Sequence, residues 1–138
     1  MLIEEMTAEQ LYKMKLNEVL GLIGARYEDE LNREYNFEQN NEVVYKIKPM
    51  FASKYSIAYT AMLDDEAQGI TPVINASVYN AQGILVNVDF NKEQFLALYR
   101  AVKDIYTPIE KKYQQYLAEL SQLPTVERLQ YIIEHNEF

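Results

Sequence analysis

The sequence contains 138 residues, of which 49% are hydrophobic and 25% are charged. These values are typical of one soluble globular domain and exclude a disordered or low-complexity chain. Thirteen Lys and Arg residues against 21 Asp and Glu residues leave a net charge of −8, which argues against binding to nucleic acid or to an anionic membrane. The absence of Cys and the presence of a single histidine, His135, exclude thiolate metal sites, cysteine nucleophiles and paired imidazoles.

The beginning of the chain does not resemble an export signal. Glu4 and Glu5 interrupt the first residues, which contain no apolar run of the length that a secretory signal peptide needs. No segment approaches the 18 or so consecutive apolar residues of a transmembrane helix. We therefore expect a soluble protein that is not exported.

The first predicted element is a long helix. Thr7 and Gln10 have the spacing of a capping box, which places the start of the helix there. An apolar stripe with steps of three and four continues to about Tyr35. The stripe consists of Tyr12, Leu16, Val19, Leu20, Ile23, Tyr27 and Leu31. Gly21 and Gly24 interrupt this helix and indicate either a bend or the close approach of another backbone, of which we favour close packing.

A polar loop is predicted over residues 36–41, so that residues 1–41 form an N-terminal helix and loop. The remainder, residues 42–138, is expected to contain a sheet and the C-terminal helices of the same single domain. Alternating apolar and charged residues predict a first strand over Val43–Lys48, ended by Pro49. Ser53 is the predicted cap of a short helix that follows over residues 54–67.

A β-hairpin is predicted next. Residues 73–79 and 84–90 are rich in β-branched and apolar side chains, and the segment 80–83 between them ends in a glycine. A hairpin alone is marginally stable, so we expect the first strand to join it in one small antiparallel sheet of about three strands, covered by helices. The predicted fold class is α+β.

The longest helical pattern begins at a second capping box, formed by Asn91 and Gln94, and continues to about Leu120. Pro108 lies inside it and predicts a kink. A helix of about 30 residues is about 45 Å long, more than a strand of about 20 Å can cover, so we expect an extended helical pair. The N-terminal helix or the same helix of a second copy is the expected partner. A last short helix is predicted over residues 125–133.

Charged clusters in the sequence do not predict a catalytic or metal site. Residues 28–30 and 64–66 are acidic, but adjacent carboxylates on a helix point in different directions and lack the spacing of a calcium loop. Asp89, Glu93 and Asp104 have no identifiable partner for acid–base catalysis. We therefore expect no enzymatic activity, no cofactor and no metal, and an exposed position for His135.

The unusual feature of the composition is the presence of 12 tyrosines without a tryptophan. Tyrosine combines an apolar ring with a hydroxyl group and is enriched at protein interfaces, although most of these side chains are expected to pack at the edges of the core. Tyr99, Tyr106 and Tyr113 are spaced by seven residues and fall beside the apolar stripe of the long helix. We predict that these three residues form a partner-binding surface.

Several segments resemble an uncharacterised domain family of tailed-phage and prophage proteins. They include Tyr45–Ser56, the strand Val86–Phe90, the helical segment Glu93–Val102 and the run Leu117–Leu120 followed by Thr125. Members of this family often occupy the end of tail-fibre or tail-fibre-assembly proteins, where a hairpin runs through a capping turn into a long helix. The resemblance implies a structural or assembly role, with other tail or fibre proteins as partners, and a location in the virion or the host cytoplasm.

Three functional hypotheses follow from these observations. The first is a tail- or fibre-associated phage protein that acts by protein–protein interaction, including interaction with a second copy of itself. The alternative is an acidic phage-encoded inhibitor of a host defence or nucleic-acid enzyme, in which the net charge of −8 imitates phosphate. An enzyme acting on small molecules would require a carboxylate pair in a deep pocket.

Overall fold

A computed structural model of the chain describes residues 6–135 and confirms the α+β class, with 65% helical content. The α-helices are α1 (Ala8–Asn32), α2 (Ala52–Ala67), α3 (Lys92–Ser121) and α4 (Val126–His135). The strands are β1 (Tyr35–Gln39), β2 (Glu42–Ile47), β3 (Ile74–Asn80) and β4 (Leu85–Phe90). They form an antiparallel sheet with the order β1-β2-β3-β4, which includes the three predicted strands and one more.

Both predicted capping boxes are confirmed. The Gln10 backbone N–H donates to the Thr7 hydroxyl at 3.1 Å, and the Thr7 N–H donates to the Gln10 side chain at 3.0 Å. At the start of α3, the Gln94 N–H donates to the Asn91 side chain at 2.9 Å, and the Asn91 N–H donates in return at 3.1 Å. Each box satisfies two backbone donors that a helix start leaves without a partner.

The prediction of Ser53 as a helix cap is wrong. A single 3₁₀ turn, Pro49–Phe51, leads directly into α2, so that Ser53 is already a helical residue. The backbone N–H of Ala52 donates to the carbonyl of Pro49 within this turn. The 3₁₀ turn therefore begins the helix in place of a side-chain cap, and Ser53 is exposed on the helix surface.

The predicted loop over residues 36–41 is also wrong. Helix α1 ends earlier than expected, and β1 pairs with β2 from Tyr35↔Ile47 to Gln39↔Glu42. Asn40 and Asn41 connect the two strands with φ angles of 54° and 66°, the left-handed conformation that tight hairpins require and that Asn tolerates. The Asn-Asn pair was therefore the signal of a hairpin that the polar composition of the segment concealed.

The chain divides into two compact units. The sheet unit is Leu31–Pro108, and the helical unit consists of the described residues on either side of it. Buried side chains from the strands, from α2 and from the first part of α3 form the core of the sheet unit. The largest fully buried side chains among them are Tyr55, Phe95, Ile47, Met62, Leu98, Val78 and Val102.

The helical unit has a core of its own. It contains Val19 and Ile23 of α1, Leu120 of α3, and Leu129 and Ile132 of α4. This arrangement confirms that the N-terminal helix packs against the later part of the long helix. The last predicted helix is confirmed as α4.

Within the described part of this chain, the expectation that another backbone packs closely against Gly21 and Gly24 is wrong. Apart from the backbone of α1 itself, no atom of the described residues lies within 4 Å of a Cβ atom added at either position. Both glycines lie in the interior of α1, which continues through them. Nothing in the structure explains why these two positions are occupied by glycine.

Candidate functional site

A cleft of about 440 Å³ lies between the first turns of α2 and the middle of α3, within the sheet unit. Its lining residues come from these two helices alone. They are Ala52, Ser53, Ser56 and Ile57 of α2, and Tyr99, Lys103, Tyr106 and Thr107 of α3. Steps of three, four and seven residues place each set on one side of its helix, so the cleft follows from the packing of two regular elements.

The ring of Tyr99 is held in the wall of the cleft by other aromatic rings. It stacks on Phe95, with ring centroids 5.9 Å apart and an interplanar angle of 21°, and it contacts Tyr59 at 5.5 Å. Phe95 is fully buried and belongs to the core of the sheet unit. Tyr99 therefore presents its remaining surface to the cleft from a fixed position, with little conformational freedom to lose on binding.

The opposite wall exposes an apolar side chain to solvent. Ile57 is 74% exposed, although its neighbours Tyr55 and Met62 on α2 are buried. Ser53, Ser56 and Thr107 add hydroxyl groups. An apolar patch surrounded by polar groups is typical of a surface that contacts another molecule.

Among the described residues that line the cleft, only Lys103 carries a charge. Its Nζ atom lies 5.8 Å from the centroid of the Tyr99 ring, which is within cation–π distance. Within residues 6–135 it forms no ion pair, whereas Lys92 of the same helix pairs with Glu66 at 2.6 Å. The cleft of this acidic protein therefore has a local positive charge.

The structure brings two of the three predicted site residues together. Tyr99 and Tyr106 both line the cleft, but Tyr113 lies in the helical unit. There its ring stacks on Tyr27 with centroids 4.1 Å apart and an interplanar angle of 14°, and the Tyr27 hydroxyl donates to the carboxylate of Glu110. The spacing of seven thus identified Tyr99 and Tyr106 as neighbours, while Tyr113 has an aromatic partner within its own unit.

The wall that α2 contributes was not predicted from the sequence. The apolar stripe of this helix consists of Tyr55, Ala58, Tyr59 and Met62, and Ile57 falls outside it. A β-branched apolar residue away from the stripe of an amphipathic helix was the available signal. Its position opposite α3 could be recognised only once the helices were packed.

The remaining candidate groups do not form a second site. Among the described residues, no three His, Cys, Asp or Glu side chains are placed to hold a metal ion. His135 is exposed, as expected, and its ring stacks on Tyr131 at 3.9 Å. Asp89 accepts a hydrogen bond from the Asn75 side chain at 2.9 Å across the hairpin, which is a structural contact. Within residues 6–135, no helix is both long enough and apolar enough to cross a membrane.

Comparison of the chain with protein-family models, with curated proteins and with solved structures gave no match.

Proposed function

We propose that this protein is a binding module that engages another protein through the α2–α3 cleft, as a tail- or tail-fibre-associated component of phage assembly. The observation that carries the binding role is the cleft itself, in which Tyr99 and Tyr106 face the 74% exposed Ile57. The phage context rests on the resemblance of the hairpin and long helix to a phage domain family. The same resemblance implies that the module acts in the virion or in the host cytoplasm.

Apolar surface that is exposed to water is unfavourable, so a partner that covers it gains free energy. Burial of an Ile side chain in an interface is favourable by roughly 25 cal/mol per Å² of apolar surface removed from water. Tyrosine side chains that are already held in place add contact area at a small entropic cost, and for this reason they are frequent among the residues that dominate binding energy. A cleft with two tyrosines and an isoleucine therefore supports a role in recognition.

A protein partner fits this cleft better than a small molecule. Sites for small molecules are enclosed and usually bury most of the ligand's surface. Here Ile57, a large apolar side chain that is 74% exposed, forms part of the wall, and the polar groups are the hydroxyls of Ser, Thr and Tyr residues and one ammonium. A surface of this kind is covered most effectively by another protein.

The experiment is affinity capture from cells in which the phage or prophage is induced, with the tagged full chain as bait. Wild-type protein is compared with Tyr106→Ala and Ile57→Ser, and with Tyr131→Ala, which alters a tyrosine 46% exposed outside the cleft. We expect wild type and the Tyr131 variant to capture the same tail or fibre protein. Loss of about 2 kcal/mol at a central contact lowers affinity about 30-fold, so both cleft variants should fail to capture this protein.

Other outcomes would contradict parts of the proposal. Equal capture by all four proteins would place the interface outside the cleft. Capture of a host nuclease or polymerase in place of a tail protein would favour the inhibitor hypothesis. Melting temperatures of the variants, measured in parallel, separate loss of binding from loss of folding.

A further inference from the structure

We infer that the α2–α3 cleft takes a peptide segment that carries a carboxylate next to an apolar side chain. This inference rests on the proposed function and names the chemistry of the partner. It follows from the combination of an unneutralised ammonium with apolar and aromatic walls. The occupant is an acidic segment of another protein chain.

The charge of Lys103 favours a partner that brings a counter-charge to the cleft. Its ammonium forms no ion pair among the described residues, and no carboxylate lines the cleft. A partner that covered the cleft without an acidic group would remove this ammonium from water without compensation, which is unfavourable. A partner carboxylate would pair with it, and the hydroxyls of Ser53, Ser56 and Thr107 are donors of the kind that a carboxylate accepts.

The apolar part of the occupant follows from the rest of the lining. The rings of Tyr99 and Tyr106 and the side chain of Ile57 offer apolar surface beside Lys103. The cleft has a volume of about 440 Å³, enough for more than one side chain of a bound segment. An aliphatic or aromatic residue within two or three positions of the acidic one would place both groups in the cleft.

The overall charge of the protein opposes an acidic partner at long range but does not decide binding in the cleft. Charges separated by more than about 8–10 Å are largely screened at physiological ionic strength. A carboxylate seated in the cleft would interact with the Lys103 ammonium directly, at a distance shorter than this screening length. Added salt would weaken both the long-range repulsion and the local attraction to Lys103. A change of the charge at position 103 alters mainly the local attraction and is therefore the sharper test.

The experiment selects randomised nine-residue peptides, in a display library, on three forms of the full chain: wild type, Lys103→Glu and Ile57→Ser. Ile57 is chosen because its exposure makes a folding defect in the variant small. We expect wild type to enrich peptides with Asp or Glu beside an aliphatic or aromatic residue. The Lys103 variant should enrich peptides with Lys or Arg at the same position. The Ile57 variant should enrich neither the acidic nor the basic peptides.

Affinities of the enriched wild-type peptides are then measured by fluorescence anisotropy. Lys103→Glu should weaken binding at least 10-fold, whereas Lys111→Glu, the same charge change at an exposed position of α3 outside the cleft, should change it less than twofold. The inference would be overturned if acidic peptides bound the Lys103 variant equally well. It would also be overturned if the enriched peptides lacked acidic residues, or if their enrichment did not depend on Ile57.

The two proposals fail in different ways. If Lys103→Glu still captures the tail or fibre protein that Ile57→Ser and Tyr106→Ala lose, the cleft is the binding site but its partner is not acidic. If all three variants retain capture, the cleft is not the binding site, and the proposed function itself is wrong.

Discussion

The hydroxyl of Tyr55 on α2 donates a hydrogen bond to the backbone carbonyl of Ser77 on β3 at 2.8 Å. Strands β2 and β3 pair at Tyr45↔Asn80 and Lys46↔Tyr79, so the carbonyl of Ser77 lies beyond the end of this ladder. A side chain of α2 thus replaces the neighbouring strand as the partner of β3. The contact fastens the helix that forms one wall of the cleft to the sheet.

The substitution Tyr55→Phe should lower the free energy of unfolding by about 1 kcal/mol, because it removes this hydrogen bond and leaves the ring in place. Burial raises the pKa of the Tyr55 phenol above its ordinary value, so the folded state keeps the proton that the unfolded state loses above about pH 10. The contribution of the protonated Tyr55 phenol to the free energy of unfolding is therefore complete below pH 10 and decreases as the pH rises further. Urea unfolding of both proteins between pH 7 and 11 measures this change.

The difference in stability between wild type and Tyr55→Phe should consequently become smaller above pH 10 than at pH 7. Tyr131→Phe, which alters an exposed tyrosine, is the control and should show no such change. A constant difference across the pH range would show that the buried phenol is not the source of the alkaline sensitivity.

The stacked pair of Tyr27 and Tyr113 should behave as a structural contact of the helical unit. Their rings lie 4.1 Å apart, and aromatic pairs of this kind contribute about 0.5–1.5 kcal/mol beyond the area that they bury. A double-mutant cycle with Tyr27→Leu and Tyr113→Leu, followed by chemical denaturation, should give a coupling energy in this range. Neither change should affect capture of the partner by the cleft.

Loss of partner capture in Tyr113→Leu without loss of stability would contradict this assignment. It would restore Tyr113 to the binding surface that the spacing of seven residues predicts. Tyr106→Ala, which alters a lining residue of the cleft, is the matched comparison on the same helix.

Replacement of the two helical glycines by alanine should stabilise the protein. In the described part of the chain, a Cβ atom at Gly21 or Gly24 meets nothing within 4 Å outside the local backbone of α1, and alanine is favoured over glycine in a helix interior by about 1 kcal/mol. Each substitution should therefore raise the melting temperature by several degrees. By contrast, Gly69→Ala should lower it, because Gly69 has a φ of 75°, which is unfavourable for other residues.

A lower melting temperature for Gly21→Ala or Gly24→Ala would mean that another chain approaches the backbone of α1 at these positions. In that case the stability difference should depend on protein concentration, which a dilution series would detect.

The sequence was sufficient for the features that depend on neighbouring residues. The capping boxes of Thr7 and Asn91 each involve groups three positions apart, and the hairpin of β3 and β4 closes through a turn that ends at Gly83. Such interactions are contained in a few consecutive residues, whose types and spacing are visible without the fold. For the same reason the three strands, the main helices and the α+β class were predicted correctly.

The tertiary structure decided which surfaces meet. Strand β1 was concealed because its polar residues look like a loop until Tyr35 and Phe37 pack against the core. The sequence placed Tyr113 in line with Tyr99, but the stack on Tyr27 joins residues far apart in the chain. The cleft likewise depends on the packing of α2 against α3, because a side chain such as Ile57 is buried or exposed according to what lies opposite it, and local spacing does not contain that information.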